Sequence, residues 1–300
     1  ATFAVVKQAT DPSRLAAGFA STETFRRTAF LIGPVLAAVL IGFHPEFTVS
    51  FQYVLATAVV FGAVGTIVQH FRYDASSDTI GDSFEGLEQV RRDLRDMPEE
   101  LRPLLVGDTL VRFANGMVYV FFVLVVTRFL SVGLETTIAA GGFSYALDLS
   151  PEAFFGYLLG VEMLIALLVM APAAKAAEHV GLKPVVALGF AVYATFPIVL
   201  INTPESTLAL ILVFAFSGLR FAGLPSHKAL IVGPAEQDTG GRVTGTYYLL
   251  RNTVVIPSAA VGGYLWDSVS PEIAFTVASV VGLVGTGYFL LFGREFDAYR

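Results

Sequence analysis

Eight apolar runs divide this chain of 300 residues, two of them before a charged stretch at 72–102 and six after it. They fall near 28–43, 50–71, 106–130, 154–176, 182–202, 207–231, 243–266 and 272–293. A hydrocarbon core about 30 Å thick takes roughly 20 apolar helical residues to cross, so the first run is short unless it begins near Phe25. No run alternates with period two, and each exceeds the roughly 10 residues a membrane strand needs. Lipid offers no water to exposed backbone groups, which leaves the helix as the spanning structure. Composition agrees: 55% hydrophobic residues, a mean hydropathy of +0.68 and 15% charge, where soluble domains carry roughly a quarter charged residues. The expectation is an all-α polytopic membrane protein with eight transmembrane helices.

The distribution of Lys and Arg sets an orientation, because cytoplasmic loops collect them. With the first span running outward, the inside segments hold Lys7, Arg14, Arg26 and Arg27. They also hold Arg72, Arg91, Arg92, Arg95 and Arg102, then Lys175, Lys183, Lys228, Arg242, Arg294 and Arg300. The outside loops are 44–47, a long one near 131–152, 202–206 and 266–272, with Arg128 alone at an outer boundary. Both termini are then cytoplasmic, in a multi-pass protein of the cytoplasmic membrane.

The stretch 72–102 is a cytoplasmic linker between an N-terminal part, 1–71, and a six-helix part, 103–300. Phe84, Leu87, Val90, Leu94 and Met97 recur at spacings of three and four, which predicts an amphipathic helix along the inner membrane surface. A regulatory helix is the alternative. A weak repeat also runs through the chain. Arg14, Gly33-Pro34 and Pro45-Glu46 are echoed by Arg242, Ile256-Pro257 and Pro271-Glu272. Transporters are often built from such repeats. If spans one and two correspond to spans seven and eight, about the first four helices of a two-bundle protein lie upstream of residue 1.

Several chemistries find no motif. No lysine follows a glycine, which excludes a P-loop, and no HExxH, GxSxG or close catalytic carboxylate pair lies in the spans. An enzyme is therefore not expected. There is no cysteine, hence no disulfide or thiolate ligand. His44, His70 and His227 sit at or near span ends without clustering, so no metal is expected, and nothing asks for a cofactor.

Charged groups inside spans are costly and are candidates for function. Glu162 lies in span four, Arg220 in span six and Arg251 in span seven; Asp108 and Arg112 sit one turn apart at the inner end of span three. Asp108, Arg112, Asn115 and Tyr119 share one helical face, and Thr244, Tyr248, Arg251 and Ser258 form a similar stripe. Spans five and eight carry no internal charge. Glu162 and Arg220 read either as a proton site with its compensating charge or as a static buried pair. Asp108 and Arg112 read as an intrahelical pair or as an inner gate.

At 174–184 the loop A-K-A-A-E-H-V-G-L-K-P resembles the signature loop of the major facilitator superfamily, G-x-L-A-D-R-x-G-R-R. Glu178 stands for the Asp, His179 for the first Arg, Gly181 matches and Lys183 keeps a basic residue. Span one, A-F-L-I-G-P-V-L-A-A at 29–38, is similar to the helix-five pattern of exporters in that superfamily through Gly33 and Pro34. A packing and kink element is the other reading of that pair. The resemblance implies that spans three to eight are the family's helices seven to twelve. It further implies that those with internal charges line a central pathway.

Together these imply a secondary active transporter working by alternating access, by preference a proton-coupled exporter of small, partly apolar compounds. An uptake symporter for a sugar or organic anion is the runner-up, and a receptor or channel on the same fold is a third possibility. The expected pathway residues are Glu162, Arg220, Arg251, Asn115, Tyr119 and Tyr248, with Asp108 and Arg112 as an inner gate. The expected partners are the lipid bilayer, a small-molecule substrate, protons or another coupling ion, and the missing N-terminal helices of the same protein, with no nucleic acid.

Overall fold

The structure is a computed structural model that describes residues 2–41, 43–44, 46–74, 86–95, 97–140, 143–149, 151–234 and 240–299. It is mostly helical, and six of its helices are long and apolar enough to cross a membrane. The chain divides into two compact units, one made of Ala1–Phe25 with Glu85–Arg300 and the other of Arg26–Phe84.

The chain begins with α1 (Thr2–Ala9) and a 3-10 turn (Pro12–Arg14). There the Ser13 hydroxyl and, at 2.9 Å, the Ser13 backbone N–H both donate to Asp11 Oδ1, which holds its carboxyl below the usual range. Next come α2 (Leu15–Ile41), α3 (Phe47–Arg72) and α4 (Leu87–Arg95). The fifth element is compound: α5 (Leu101–Val118), a 3-10 turn (Tyr119–Phe121), the single turn α6 (Phe122–Leu124) and a π-helical turn (Val125–Phe129). Then follow α7 (Pro151–Val180), α8 (Leu182–Ile201) and α9 (Thr207–Gly218), the last continued through a 3-10 turn (Leu219–Phe221) into α10 (Leu224–Val232). Last come α11 (Gly240–Val255), α12 (Ser258–Ser268), α13 (Pro271–Phe292) and a 3-10 turn (Asp297–Tyr299).

In the unit of residues 26–84, α3 stands exposed along most of its length, with Val59 at 70% and Phe61 at 68% exposure, while Ser50 near its start is buried. Helix α2 runs unbroken through residues 33 and 34. A β-carbon added at Gly33 would meet nothing within 4 Å.

The larger unit is a bundle with two apolar cores stacked along the helix axes. One, toward the end that carries the termini, gathers Leu15, Phe19, Leu101, Leu104, Leu182, Phe190, Tyr247 and Phe289. The other, toward the opposite end, gathers Met117, Phe122, Val125, Phe154, Leu158, Phe196, Phe214 and Phe275. The ends of the chain meet at the first core: the Tyr299 hydroxyl accepts from the Ala16 backbone N–H at 3.4 Å, and Lys7 Nζ donates to the Val232 carbonyl at 2.9 Å. Partial burial lowers the Lys7 pKa and raises that of Tyr299.

Four sequence expectations need correction. The loop near 131–152 contains an antiparallel hairpin, β1 (Leu134–Ala140) with β2 (Phe143–Leu149), in register from Leu134 opposite Leu149 to Ala140 opposite Phe143. The fold is therefore not purely helical. The signal was present: a Gly141-Gly142 dipeptide between β-branched and alternating residues is a hairpin signature. Span seven is two helices, since the break at Ile256–Pro257 leaves α11 and α12 each too short to cross alone; proline supplies no N–H to continue the ladder. Pro34, its echo, leaves α2 helical, so the two prolines differ in effect. The linker helix is shorter than its periodicity suggests: it covers α4 alone, with Leu94 43% exposed and Met97 buried beyond its end. Phe84 lies outside the described residues, as does Pro45.

Candidate functional site: two charged centres between the apolar cores

The first centre joins α7 to the break between α9 and α10. Glu162 and Arg220 are both buried, at 2% and 6% exposure. Arg220 Nη2 lies 2.6 Å from Glu162 Oε1, and the Ser217 hydroxyl donates to the same oxygen. The approach depends on a missing side chain. At Gly218 a β-carbon would fall 2.7 Å from the Glu162 carbonyl oxygen and 2.7 Å from Ile165 Cβ. Directly after Gly218 the helix tightens into its 3-10 turn, and that turn carries Arg220. The guanidinium also sits over the rings of Tyr193, Phe196 and Phe221 at 5.1, 5.6 and 5.0 Å, which supports a partly desolvated cation.

The second centre converges on Asp108, which is fully buried on α5. Its Oδ1 accepts from Arg112 Nε at 3.1 Å, the i,i+4 pair read from the sequence. Its Oδ2 lies 3.0 Å from Arg251 Nη1, 3.0 Å from the Tyr247 hydroxyl and 3.1 Å from His227 Nε2. One carboxylate thus binds four groups from three helices. Arg112 and Arg251 keep 21% and 15% of their side chains exposed, whereas Asp108 has none. Arg251 also donates through Nε and Nη2 to Asn252 Oδ1 at 3.1 and 2.9 Å and lies 4.4 Å over Tyr248.

The two centres are neighbours. Arg112 and Arg220 approach the Tyr193 ring at 4.6 and 5.1 Å. A small cavity between them is lined by Arg112, Gly189, Tyr193, Arg220, Gly223 and His227, among others.

The expected pathway residues distribute as follows. Glu162 meets Arg220, and Asp108 meets both Arg112 and Arg251. Tyr248 flanks the second centre, its ring 4.4 Å from the Arg251 guanidinium and edge-on to Tyr247. Asn115 is half-buried two turns along α5 from Asp108. Tyr119 leaves the α5 stripe, because it begins a 3-10 turn and stands 56% exposed against Phe122. Thr244 is buried on α11, and Ser258 falls beyond the Pro257 break.

His227 and Tyr247 were missed. His227 was read as a span-end residue, yet it lies seven residues after Arg220, the spacing of one helical face. Tyr247 is four residues before Arg251, a spacing that fits as well as that of Tyr248. Among the described residues no group of three metal-ligating side chains forms.

At 174–184 the end of α7 passes through Gly181 into the start of α8. Gly181 takes φ +87°, a conformation that favours glycine. The acid that meets the α8 N-terminus is Glu295, which follows α13. Glu295 Oε1 accepts from the Lys183 backbone N–H at 2.6 Å and lies 2.6 Å from where a Gly181 β-carbon would stand. Burial raises the Glu295 pKa, against the lowering by its backbone bonds and by Lys183. Glu178 and His179 are exposed. Glu178 lines a groove with Arg14, Ser21, Thr24 and Lys175 between the first turns of α2 and the end of α7. Gly33 and Pro34 lie in the other unit.

The chain matches no protein-family model and no curated protein.

Proposed function

We propose that this protein is a secondary active transporter of the major facilitator type, with eight membrane spans and both termini on the cytoplasmic side. In this reading it carries small, partly apolar molecules out of the cell in exchange for protons. The observation that carries the reading is the Glu162–Arg220 pair, buried mid-bundle with Ser217 on the same carboxylate oxygen. An ion pair taken out of water is a weak source of stability, because desolvation offsets the attraction. Its persistence at membrane depth therefore suits a functional role better than a structural one. The distribution of charge supports the same reading. Charges inside the helices occupy α5, α7, the α9–α10 break and α11, while α8 and α13 carry charge only in their first turns, at Lys183 and Glu272. Protonation of Glu162 weakens its hold on Arg220 and biases the bundle between two states.

The compound seventh span adds its own support: α11, broken from α12 at Pro257, is the kind of interrupted helix that transporters place beside their sites. A second reading, uptake of an organic anion, is favoured by one observation. Arg112 and Arg251 share a single carboxylate and stay partly exposed, so the centre carries a surplus positive charge that an anion would balance.

The test is flux in inverted vesicles with an imposed pH gradient. Two probes are used: N-phenylnaphthylamine as a neutral apolar compound and fluorescein as an organic anion. Gradient-driven accumulation of the neutral probe is expected for the exporter, and gradient-driven movement of fluorescein alone supports the second reading. A steady conductance with no gradient dependence would replace both with a channel.

A further inference from the structure

We propose that His227 is a proton-binding residue, fed by one ordered water held between its Nδ1 and the guanidinium of Arg220. The water site and the protonation stand on the structure alone; their part in transport rests on the exporter reading above.

Three buried polar atoms at this place find no hydrogen-bond partner among the described residues: Arg220 Nε, Arg220 Nη1 and His227 Nδ1. Both residues line the small cavity with Arg112, Gly189, Tyr193 and Gly223, and that cavity has room for about one water. The chemistry of the orphaned atoms is complementary. A carboxylate accepts and does not donate, so the 3.1 Å contact between His227 Nε2 and Asp108 Oδ2 places the ring proton on Nε2. A neutral His227 then offers Nδ1 as a bare lone pair. Arg220 Nε and Nη1 are donors only. A water between them accepts from Arg220 and donates to His227, satisfying atoms that are otherwise buried at a cost.

The charged and titratable groups around the ring come from α10 and the elements packed on it; beside His227 on α10, Lys228 pairs with the buried Glu23 of α2. Asp108 and Arg112 face it from α5, Tyr247, Tyr248 and Arg251 from α11, and Tyr193 from α8. Arg220 stands in the turn before α10. On α7, Glu162 is held by Arg220, while Lys175 and Glu178 lie in its last turns; Lys7 of α1 binds the Val232 carbonyl. When a hydronium reaches the water position, one of its O–H bonds breaks and an Nδ1–H bond forms, leaving neutral water behind. The resulting imidazolium donates from both nitrogens, Nε2 to Asp108 and Nδ1 to the water.

Protonation has a consequence at Asp108. Its Oδ2 is approached by His227, Tyr247 and Arg251 within 3.1 Å, whereas a carboxylate oxygen offers about two lone-pair sites. A charged imidazolium strengthens its own bond to Oδ2 and adds a positive charge beside Arg112 and Arg251. Arg251 is the donor that gives way. It is partly exposed and already has Asn252 and Tyr248 as alternative supports. The proton on His227 is thereby read out as the position of Arg251 on the exposed side of the centre.

The experiment is solid-state NMR of the full chain in lipid, labelled with 13C-serine and 15N-histidine. Of the four histidines only His227 follows a serine, Ser226, so its signals are assigned without a variant. Expected are an Nε2–H tautomer with an Nδ1–water contact at high pH, and an imidazolium at low pH, its ratio to the neutral ring changing roughly tenfold per pH unit. An Nδ1–H tautomer, a dry Nδ1, or a ring neutral throughout about pH 5 to 8 overturns the proposal. The His227→Gln variant in the vesicle assay adds the functional readout, a pH profile of flux flattened relative to the parent. If the ring titrates through its water while flux never depends on the gradient, the exporter reading falls and the site stands. If flux is gradient-driven while the ring stays neutral and dry, the site falls and the exporter reading stands.

Discussion

The two charged centres lie in the same bundle and are built on opposite principles. At Glu162 one carboxylate meets one guanidinium, both buried, and the charges cancel. At Asp108 one carboxylate serves two guanidiniums, a tyrosine and a histidine, and the guanidiniums stay partly exposed. A balanced pair can be removed as a unit. An oversubscribed carboxylate cannot, because each of its donors would be left in a poorly solvated place. The difference separates a self-contained charge pair from a carboxylate that ties several elements together.

The largest expected effect tests the holding role. Asp108→Ala leaves Arg112 and Arg251 adjacent without a counter-charge and should cost about 3–5 kcal/mol. Thermal unfolding of the purified protein in detergent reads this; a midpoint equal to the parent's would show that Asp108 does not organise its neighbours. The next prediction concerns the balanced pair. Glu162→Leu alone should destabilise, while Glu162→Leu with Arg220→Leu should recover most of that loss, since apolar replacement of a whole buried ion pair is often near neutral. A double variant as unstable as the single one would remove the contrast between the centres.

A third carboxylate sharpens the comparison from outside the spans. Glu295 has a pKa raised above its usual 4.5 by burial. Ionisation is therefore penalised more in the folded state than in the unfolded one. The penalty is absent below the unfolded value, grows as pH rises through it, and is complete above the raised folded value. Glu295→Gln keeps an acceptor for the Lys183 N–H but cannot ionise. It should match the parent in mild acid and exceed it at neutral pH in the same unfolding assay; the reverse order would show that the ionised form holds α8. The smallest effect belongs to the other unit. Gly33→Ala meets open space, so its unfolding midpoint should stay within about 0.5 kcal/mol of the parent. A large loss would mean that Gly33 packs closely against something.

What the sequence revealed follows a physical line. Each apolar run from 106 to 293 corresponds to a helix or a broken pair, because length and apolarity are local properties. Glu162 and Arg220 stood out because charge inside an apolar run is visible one residue at a time. Tyr247 and His227 did not, since a tyrosine among apolar residues carries no such contrast and His227 gains its meaning only from Asp108, far along the chain. Glu295 was hidden for the same reason: nothing near it points to the α8 N-terminus more than a hundred residues away. Apolarity also says nothing of neighbours. In its most apolar stretch α3 buries nothing, whereas α8 buries 61% of its own, yet both read as spans.

The central claim is that Glu162 carries the coupling proton. It is tested most directly by comparing the parent with Glu162→Gln in inverted vesicles at equal expression, following N-phenylnaphthylamine under an imposed pH gradient. The account predicts gradient-driven accumulation in the parent and its loss in the variant. Equal gradient-driven accumulation in both would contradict it.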